Sequence, residues 1–155
     1  MPPQTPRGFS IIGGFMDRAF VYAVLTSLVW GVAPALEKIG LRGAIEPYQG
    51  VVIRSIAIAL VSIAGLVFMG RANAFQGLQL NGVLFVVAGG LVAGLIGQFT
   101  FYSALKAGDA SIVVPVAATY PIVALVISII FLGEPFTWQK AAGIGLVVAG
   151  VMLVK

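Results

Sequence analysis

The sequence contains neither cysteine nor histidine, and it has few charged residues of either sign. Their absence excludes thiolate nucleophiles, histidine-based acid–base chemistry and the usual zinc and haem sites. Only 9% of the residues are charged, whereas a typical water-soluble domain carries about a quarter. The five acidic residues do not provide two carboxylates at depth for paired-carboxylate catalysis. The composition therefore argues against an enzyme, a metal site, a cofactor and a water-soluble domain.

Hydrophobic residues make up 60% of the 155 residues, and the mean hydropathy is +1.09. The nine basic residues are dispersed singly between apolar runs, so no patch for nucleic acid is indicated. Five apolar stretches are long enough to cross a bilayer, which takes about 20 residues. They cover residues 19–41, 47–69, 81–105, 111–132 and 136–154. The sequence thus predicts an all-α integral membrane protein, a bundle of five transmembrane helices embedded in a lipid bilayer.

Short connections join the predicted spans, so neighbouring helices should run antiparallel. The last connection, Gly133-Glu134-Pro135, combines a glycine typical of a helix end with a proline typical of a helix start. We therefore predict a single five-helix membrane domain over residues 19–155. Residues 1–18 are rich in proline and glycine, and we expect them to form a disordered tail or to lie at the membrane surface.

The basic residues near the span ends favour neither orientation in the membrane. Arg54 lies inside the second span and does not enter the count. The others divide equally, with Arg7, Arg18, Arg71 and Lys140 on one side and Lys38, Arg42, Lys106 and Lys155 on the other. The positive-inside rule therefore gives no preference. Either the chain inserts both ways and pairs antiparallel with itself, or a misplaced boundary conceals a single orientation.

The first two spans contain charged side chains, which are costly inside a membrane and are therefore functional candidates. Trp30, Pro34, Glu37 and Lys38 share a face of the first helix, which Pro34 should kink. Glu37 and Lys38 either line a cavity or simply reach the membrane surface. Arg54 lies about 10 Å into the second span, at a depth similar to that of Glu37. It either pairs structurally with Glu37 or binds a substrate anion.

The third span has a stripe with a four-residue step. Its members include Gly90, Gly94, Gln98 and Tyr102. The two glycines would let another helix approach closely, and the two polar side chains offer hydrogen bonds at mid-depth. Those hydrogen bonds either join helices or bind a ligand.

The fourth span contains two prolines, Pro115 and Pro121, flanking Thr119 and Tyr120. Each proline removes a backbone hydrogen bond, which should leave carbonyls such as that of Ala117 without a helical partner. Such backbone is tolerated at depth only inside protein or along a water-filled cavity. We expect this segment to line a cavity; the alternative is a kink covered by neighbouring helices.

The fifth span carries a face of small residues. Gly143, Gly145 and Gly150 contribute to it, and such a face suits close contact between helices. The spacing leaves open whether the contact is made within the chain or between two chains.

Five blocks of sequence occur in an ordered series. They are WGVAPALEK (residues 30–38), VIRSIAIAL (52–60), FYSALKAGDASIVVP (101–115), TYPIVALVISIIFLGEPFTWQ (119–139) and GIGLVVAGV (143–151). The FLGE at residues 131–134 is the most specific of them. In this order and spacing, the blocks resemble the EamA-type domain of the drug/metabolite transporter superfamily over residues 20–154.

The resemblance implies a function and a partner. Family members commonly have ten helices from two such domains, so a single domain implies a half-size unit. Its partner would be a second, inverted copy or another membrane subunit. The implied activity is secondary transport of a small metabolite, such as an amino acid, across the inner membrane by alternating access. We expect the substrate cavity to be lined by Trp30, Glu37, Lys38, Arg54, Gln98, Tyr102, Thr119 and Tyr120.

Two alternative functions remain at this point. The chain could be a non-transporting accessory subunit of a larger membrane complex, with the fold kept and the cavity unused. It could also be one half of a lipid-linked-sugar flippase, paired with an oppositely oriented sibling. Glu37 lies nearer the membrane surface than the mid-helix glutamate of the related small multidrug resistance proteins. The proton-coupled drug exchange of those proteins is therefore not implied.

Overall fold

The computed structural model describes residues 18–71 and 73–154, and every regular element within them is a helix. The helices are α1 (Arg18–Leu41), α2 (Pro47–Phe68), α3 (Leu80–Ala107), α4 (Ala110–Ala117), α5 (Pro121–Leu132) and α6 (Trp138–Met152). Within these described ranges, four apolar segments are long enough to cross a membrane: α1, α2, α3, and α4 with α5. The predicted all-helical class is confirmed for these residues. Residues 1–17 of the predicted tail lie outside the described residues.

Helix α6, which corresponds to the predicted fifth span, is shorter than that span. Helix α6 has 15 residues and is therefore about 22 Å long, less than the ~30 Å hydrocarbon core of a bilayer. The helix begins late because Gly133, at φ +67°, ends α5 in a left-handed conformation. The chain then stays non-helical until Thr137, whose hydroxyl accepts a hydrogen bond from the Lys140 backbone N–H at 3.3 Å.

Helix α3 is continuous but changes its helical period, which the sequence pattern did not predict. It is α-helical over Leu80–Gly90, π-helical over Leu91–Gly97 and α-helical again over Gln98–Ala107. Segments of π-helix are rare and are frequent at functional sites. The predicted stripe with a four-residue step therefore crosses two changes of period instead of following one regular α-helix.

The fourth apolar segment is broken between Ala117 and Pro121. Pro115 lies inside α4, and Pro121 is the first residue of α5, where a missing N–H does no harm. The Ala117 carbonyl, which was predicted to lack a helical partner, accepts a hydrogen bond from the Tyr120 N–H at 3.2 Å in the turn between α4 and α5. The tightened turn thus replaces part of the lost helical bonding. Pro34, by contrast, lies inside α1, which remains helical on both sides of it.

The buried core lies at one end of the bundle, where α1 and α3 end and α2 and α4 begin. Its buried hydrophobic residues are Leu41, Val51, Tyr102 and Leu105. The most extensive contacts between different spans join α2, and then α1, to the last part of α3. Many other apolar side chains are exposed, as at Phe68 (92%). An apolar exterior of this extent is suited to lipid rather than to water.

Gly50 allows α2 to approach the Tyr102 ring. A Cβ atom built at this position would lie 2.9 Å from both Cδ2 and Cε2 of Tyr102. Real Cβ atoms essentially never come so close to another heavy atom, and the ring is only 5% exposed and has little room to move away. The Tyr102 ring can therefore pack against α2 at this end only because residue 50 has no side chain.

We predict that Gly50→Ala lowers the free energy of unfolding by about 1–3 kcal/mol, because the added methyl group overpacks the core. Gly65→Ala is the matched control on the same helix, since its Cβ would meet no atom within 4 Å. The control should be neutral or stabilising, because alanine favours helix more than glycine does. Denaturant titration in mixed micelles measures both. Equal stabilities of the two variants would contradict the assigned role of Gly50.

Candidate functional site

A groove of about 470 Å³ lies between α1, the middle of α3 and the junction of α4 with α5. One face of α1 forms its first wall, with Ser27, Trp30, Gly31, Ala33, Pro34 and Glu37. The opposite wall includes Ala93 and Gly94 from the π-helical segment, followed by Gln98 and Phe101. The groove therefore lies where α3 changes period and where the fourth span is broken.

The α1 wall follows directly from helical spacing. Trp30, Pro34 and Glu37 were predicted to share a face, and all three line the groove. Ser27, which was not predicted, lies three residues before Trp30 and belongs to the same face. Extending that face by one turn would have identified it. Phe101 was also not predicted, although it follows Gln98 by three residues in the regular α-helical part of α3 and therefore shares its face.

Glu37 is the centre of the polar contacts in the groove. Its Oε1 atom accepts hydrogen bonds from Gln98 Nε2 at 3.2 Å and from the Tyr102 hydroxyl at 3.0 Å. The same oxygen lies 3.9 Å from Arg54 Nε, and the Glu37 side chain is 16% exposed. One carboxylate oxygen therefore connects three spans: both of its hydrogen-bond donors are on α3, and Arg54 on α2 lies beyond hydrogen-bond distance.

Arg54 is held less closely to Glu37 than the two hydrogen-bond donors, Gln98 and Tyr102. Its 3.9 Å separation from Glu37 exceeds the 2.7–2.9 Å of a charge-assisted hydrogen bond. Its side chain is 39% exposed and lines the groove. Arg54 makes no side-chain hydrogen bond to any residue that the structure describes. A guanidinium in this state retains N–H donors for a polar group that enters the groove.

The structure brings five of the eight predicted cavity residues to the groove wall: Trp30, Glu37, Arg54, Gln98 and Tyr120. The other three lie off it. Tyr102 is buried behind the wall, with its hydroxyl on Glu37. The Lys38 ammonium binds backbone carbonyls at the end of α3. The Thr119 hydroxyl donates to the Val116 carbonyl at 2.8 Å inside the break of the fourth span.

The predicted packing glycines do not make close helix contacts within the described chain. A Cβ atom built at Gly90, Gly94, Gly143, Gly145 or Gly150 would meet no atom within 4 Å. Gly94 instead lines the groove. Of the two alternatives that the spacing left open for the α6 glycines, the described residues therefore provide no contact within the chain, and the glycine face of α6 is open there.

The groove offers a defined set of chemical groups. These are one guanidinium, one carboxylate that already accepts two hydrogen bonds, one primary amide, the Ser27 hydroxyl and the aromatic side chains of Trp30, Phe101 and Tyr120. Within residues 18–71 and 73–154, no cluster of three His, Cys, Asp or Glu side chains could hold a metal ion. The arrangement is suited to binding a small polar or amphipathic molecule by hydrogen bonds, charge and apolar contact.

The sequence profile of the EamA-like transporter family matches residues 17–155. The chain belongs to the EamA-like transporter family. The resemblance of the five sequence blocks is thereby confirmed. As a member of a transporter family with several membrane-crossing helices, this EamA-like chain is a multi-pass membrane protein.

Similar proteins come from archaea and bacteria. An uncharacterized protein of Methanocaldococcus jannaschii is 31% identical over 141 residues, which cover 90% of this chain and 98% of that protein. An uncharacterized transporter of Archaeoglobus fulgidus is 28% identical over 88% of this chain and 49% of its own length. An uncharacterized transporter of Clostridium kluyveri is 27% identical over 92% and 45%, respectively. The EamA-like chain thus spans about half the length of these two transporters. No solved structure matches it.

We predict that Tyr102→Phe lowers the free energy of unfolding by about 1–2 kcal/mol, because Glu37 loses one of its two hydrogen bonds in a largely apolar setting. Tyr22→Phe is the control, since Tyr22 is 68% exposed on α1. It should leave stability within a few tenths of a kcal/mol. Thermal unfolding in detergent measures both. A Tyr102→Phe variant as stable as the control would show that the hydroxyl contributes nothing to the cluster.

Proposed function

We propose that this EamA-like chain is one half of a secondary transporter of the inner (plasma) membrane that carries a small metabolite through the groove. The observation that supports this most is the Arg54–Glu37 pair on the wall of a groove in an otherwise apolar bundle. Charged side chains inside a membrane are expensive, and they mark substrate or ion pathways. A purely structural bundle would not need a partly exposed arginine at this depth.

The groups in the groove favour a substrate that carries a carboxylate. Its volume of about 470 Å³ lies within the 300–1,000 Å³ that is usual for small-molecule sites. Arg54 is the one cation that the described residues place on its wall, since Lys38 is engaged with α3. Guanidinium binds carboxylates and phosphates through paired N–H donors. Together with the aromatic wall, this favours an amino acid or a related metabolite.

The groove is incomplete in a single chain. Trp30 and Tyr120 on its wall are 62% and 59% exposed, so residues 18–71 and 73–154 leave one side of the groove uncovered. Arg54 and Glu37 cannot face lipid through that opening without a large penalty. Two of the related transporters are about twice as long as the part that matches this chain. We therefore assign the missing wall to a second copy, inserted in the inverted orientation.

The antiparallel dimer also provides a use for the open glycine face of α6. Gly143, Gly145 and Gly150 leave space in which a helix of the second copy can approach closely. The balance of basic residues on the two membrane sides permits both orientations of one chain. In this arrangement, rocking of one copy against the other exposes the groove to each side in turn.

We predict that Arg54→Gln lowers kcat/KM at least tenfold for carboxylate substrates, because a charge-assisted hydrogen bond contributes about 1.5–3 kcal/mol. Arg54→Lys should retain part of the activity, since it keeps the charge but loses the paired donors. The measurement is uptake of labelled amino acids and other small carboxylates into proteoliposomes. Arg42→Lys, at an exposed site beyond the end of α1, keeps the balance of basic residues; it is the control and should transport normally.

Transport by Arg54→Gln at the rate of the unmodified protein, for every substrate carried and at matched insertion, would contradict this assignment. No uptake of any carboxylate by the unmodified protein would contradict the substrate class. It would leave the family membership unaffected, because that rests on the sequence match over residues 17–155.

We predict that C-terminal fusions to a cytoplasm-active reporter and to a periplasm-active reporter both give strong signals, because the basic residues favour neither orientation. The control variant combines Arg71→Gln with Lys140→Gln and removes two positive charges from one side. It should shift the signal toward a single reporter. A strong signal from only one reporter in the unmodified protein would exclude the self-inverted dimer and favour a parallel oligomer or an oppositely oriented sibling.

A further inference from the structure

Two successive residues of α1 bind the same segment of α3. Glu37 accepts hydrogen bonds from the side chains of Gln98 and Tyr102. Lys38 donates through Nζ to the backbone carbonyls of Leu105 and of Gly108, the latter at 2.7 Å. Glu37 thus fixes the side chains of Gln98 and Tyr102, which together with Glu37 form what we call the Glu37 cluster. Lys38 fixes the main chain at the end of the same helix.

The end of α3 has a physical need for such a contact. The last carbonyls of a helix have no intrahelical donor, and they form the negative end of the helix dipole. Water cannot reach this end freely, because Leu105 has no exposed surface and Lys38 is itself only partly exposed. An ammonium group satisfies two carbonyls at once and complements the dipole. Lys38 therefore does not simply extend to the membrane surface, which was one of its two interpretations.

We propose that Lys38 is a positioning residue, which sets the depth and rotation of α3 so that Gln98 and Tyr102 meet the Glu37 carboxylate. Tyr102 is 5% exposed and its ring lies against Gly50, so α3 has a single well-packed register at this end. Releasing the end of α3 would let that register relax and would lengthen the hydrogen bonds to Glu37. This inference rests on the groove as the proposed substrate site, because the Glu37 cluster forms part of its wall.

Lys106 provides a comparison at the same end of the bundle. Its ammonium also binds a backbone carbonyl, that of Ile45 at 3.0 Å, and it pairs with Glu46 at 3.1 Å. This contact fastens α3 to the loop before α2, and the Glu46 side chain is 66% exposed. Lys106 thus shares charge, length and location with Lys38, but its hydrogen bonds go to Ile45 and Glu46 before α2 and not to the carbonyls at the end of α3. It is the matched control for any effect of removing a lysine here.

The test is a double-mutant cycle between Lys38→Met and Tyr102→Phe, read as melting temperature in detergent. If Lys38 positions Tyr102, the Tyr102 hydroxyl loses its benefit once Lys38 is gone. Tyr102→Phe should then lower the melting temperature less than half as much in the Lys38→Met background as in the unmodified protein. Lys38→Arg should restore the full effect, because it keeps both the charge and the donors. In the Lys106→Met background, Tyr102→Phe should have its full effect.

Additive effects of Lys38→Met and Tyr102→Phe would overturn the proposal, and so would equal coupling from Lys106→Met. If Lys38→Met does not insert, Lys38→Gln enters the same cycle with the same expectations. Amide hydrogen exchange gives a second readout. The backbone amides of residues 98–108 should exchange about tenfold faster in Lys38→Met than in the unmodified protein, and they should remain protected in Lys38→Arg. Unchanged exchange of residues 98–108 in Lys38→Met would also overturn the proposal. Because neither measurement involves transport, failure here leaves the proposed function standing, and failure of transport leaves this inference standing.

Discussion

The carboxylate of Glu37 is the contact on which the rest of the groove depends. Its Oε1 atom accepts from Gln98 and Tyr102 and lies 3.9 Å from Arg54, so α1, α2 and α3 meet at one atom. In an apolar setting, separating these groups would leave each one without a partner, and the lipid offers no replacement. The cluster therefore constrains how the three spans can pack, while it keeps Arg54 partly exposed.

The bundle divides into a packed end and an open side. At the packed end, the buried side chains and the Lys38 contact hold α3 against α1 and α2. The groove lies beyond this end, where the helices depart from regular α geometry in the π-helical segment and in the break before Pro121. Irregular backbone at depth is tolerated where protein or a cavity covers it. The position of the irregular segments thus agrees with a cavity that a second copy would complete.

Placing Lys38 on the end of α3 changes the charge of the groove. From the sequence, two basic groups and one acidic group were expected there, whereas the described wall contains Arg54 and Glu37. The proposal that the groove binds an anion then does not depend on an excess of positive charge. It depends on Glu37 having hydrogen-bond partners and Arg54 having none among the described residues. Glu37 is satisfied by neutral donors, and Arg54 is not held by a short hydrogen bond. Lys38 in turn supports the groove from outside it.

The sequence by itself determined the helical class, the apolar segments and the costly charges. Lipid requires every backbone group to be bonded within its own segment, so composition and run length decide these features. Glu37, Arg54 and Gln98 were identifiable because polar groups are rare in such segments, and Trp30 because it shares a helical face with Glu37. Only the tertiary structure decided that Lys38 binds carbonyls 67 and 70 residues away, that Gly50 receives the Tyr102 ring and that α3 becomes π-helical. These features depend on how distant segments pack, and local spacing does not encode that.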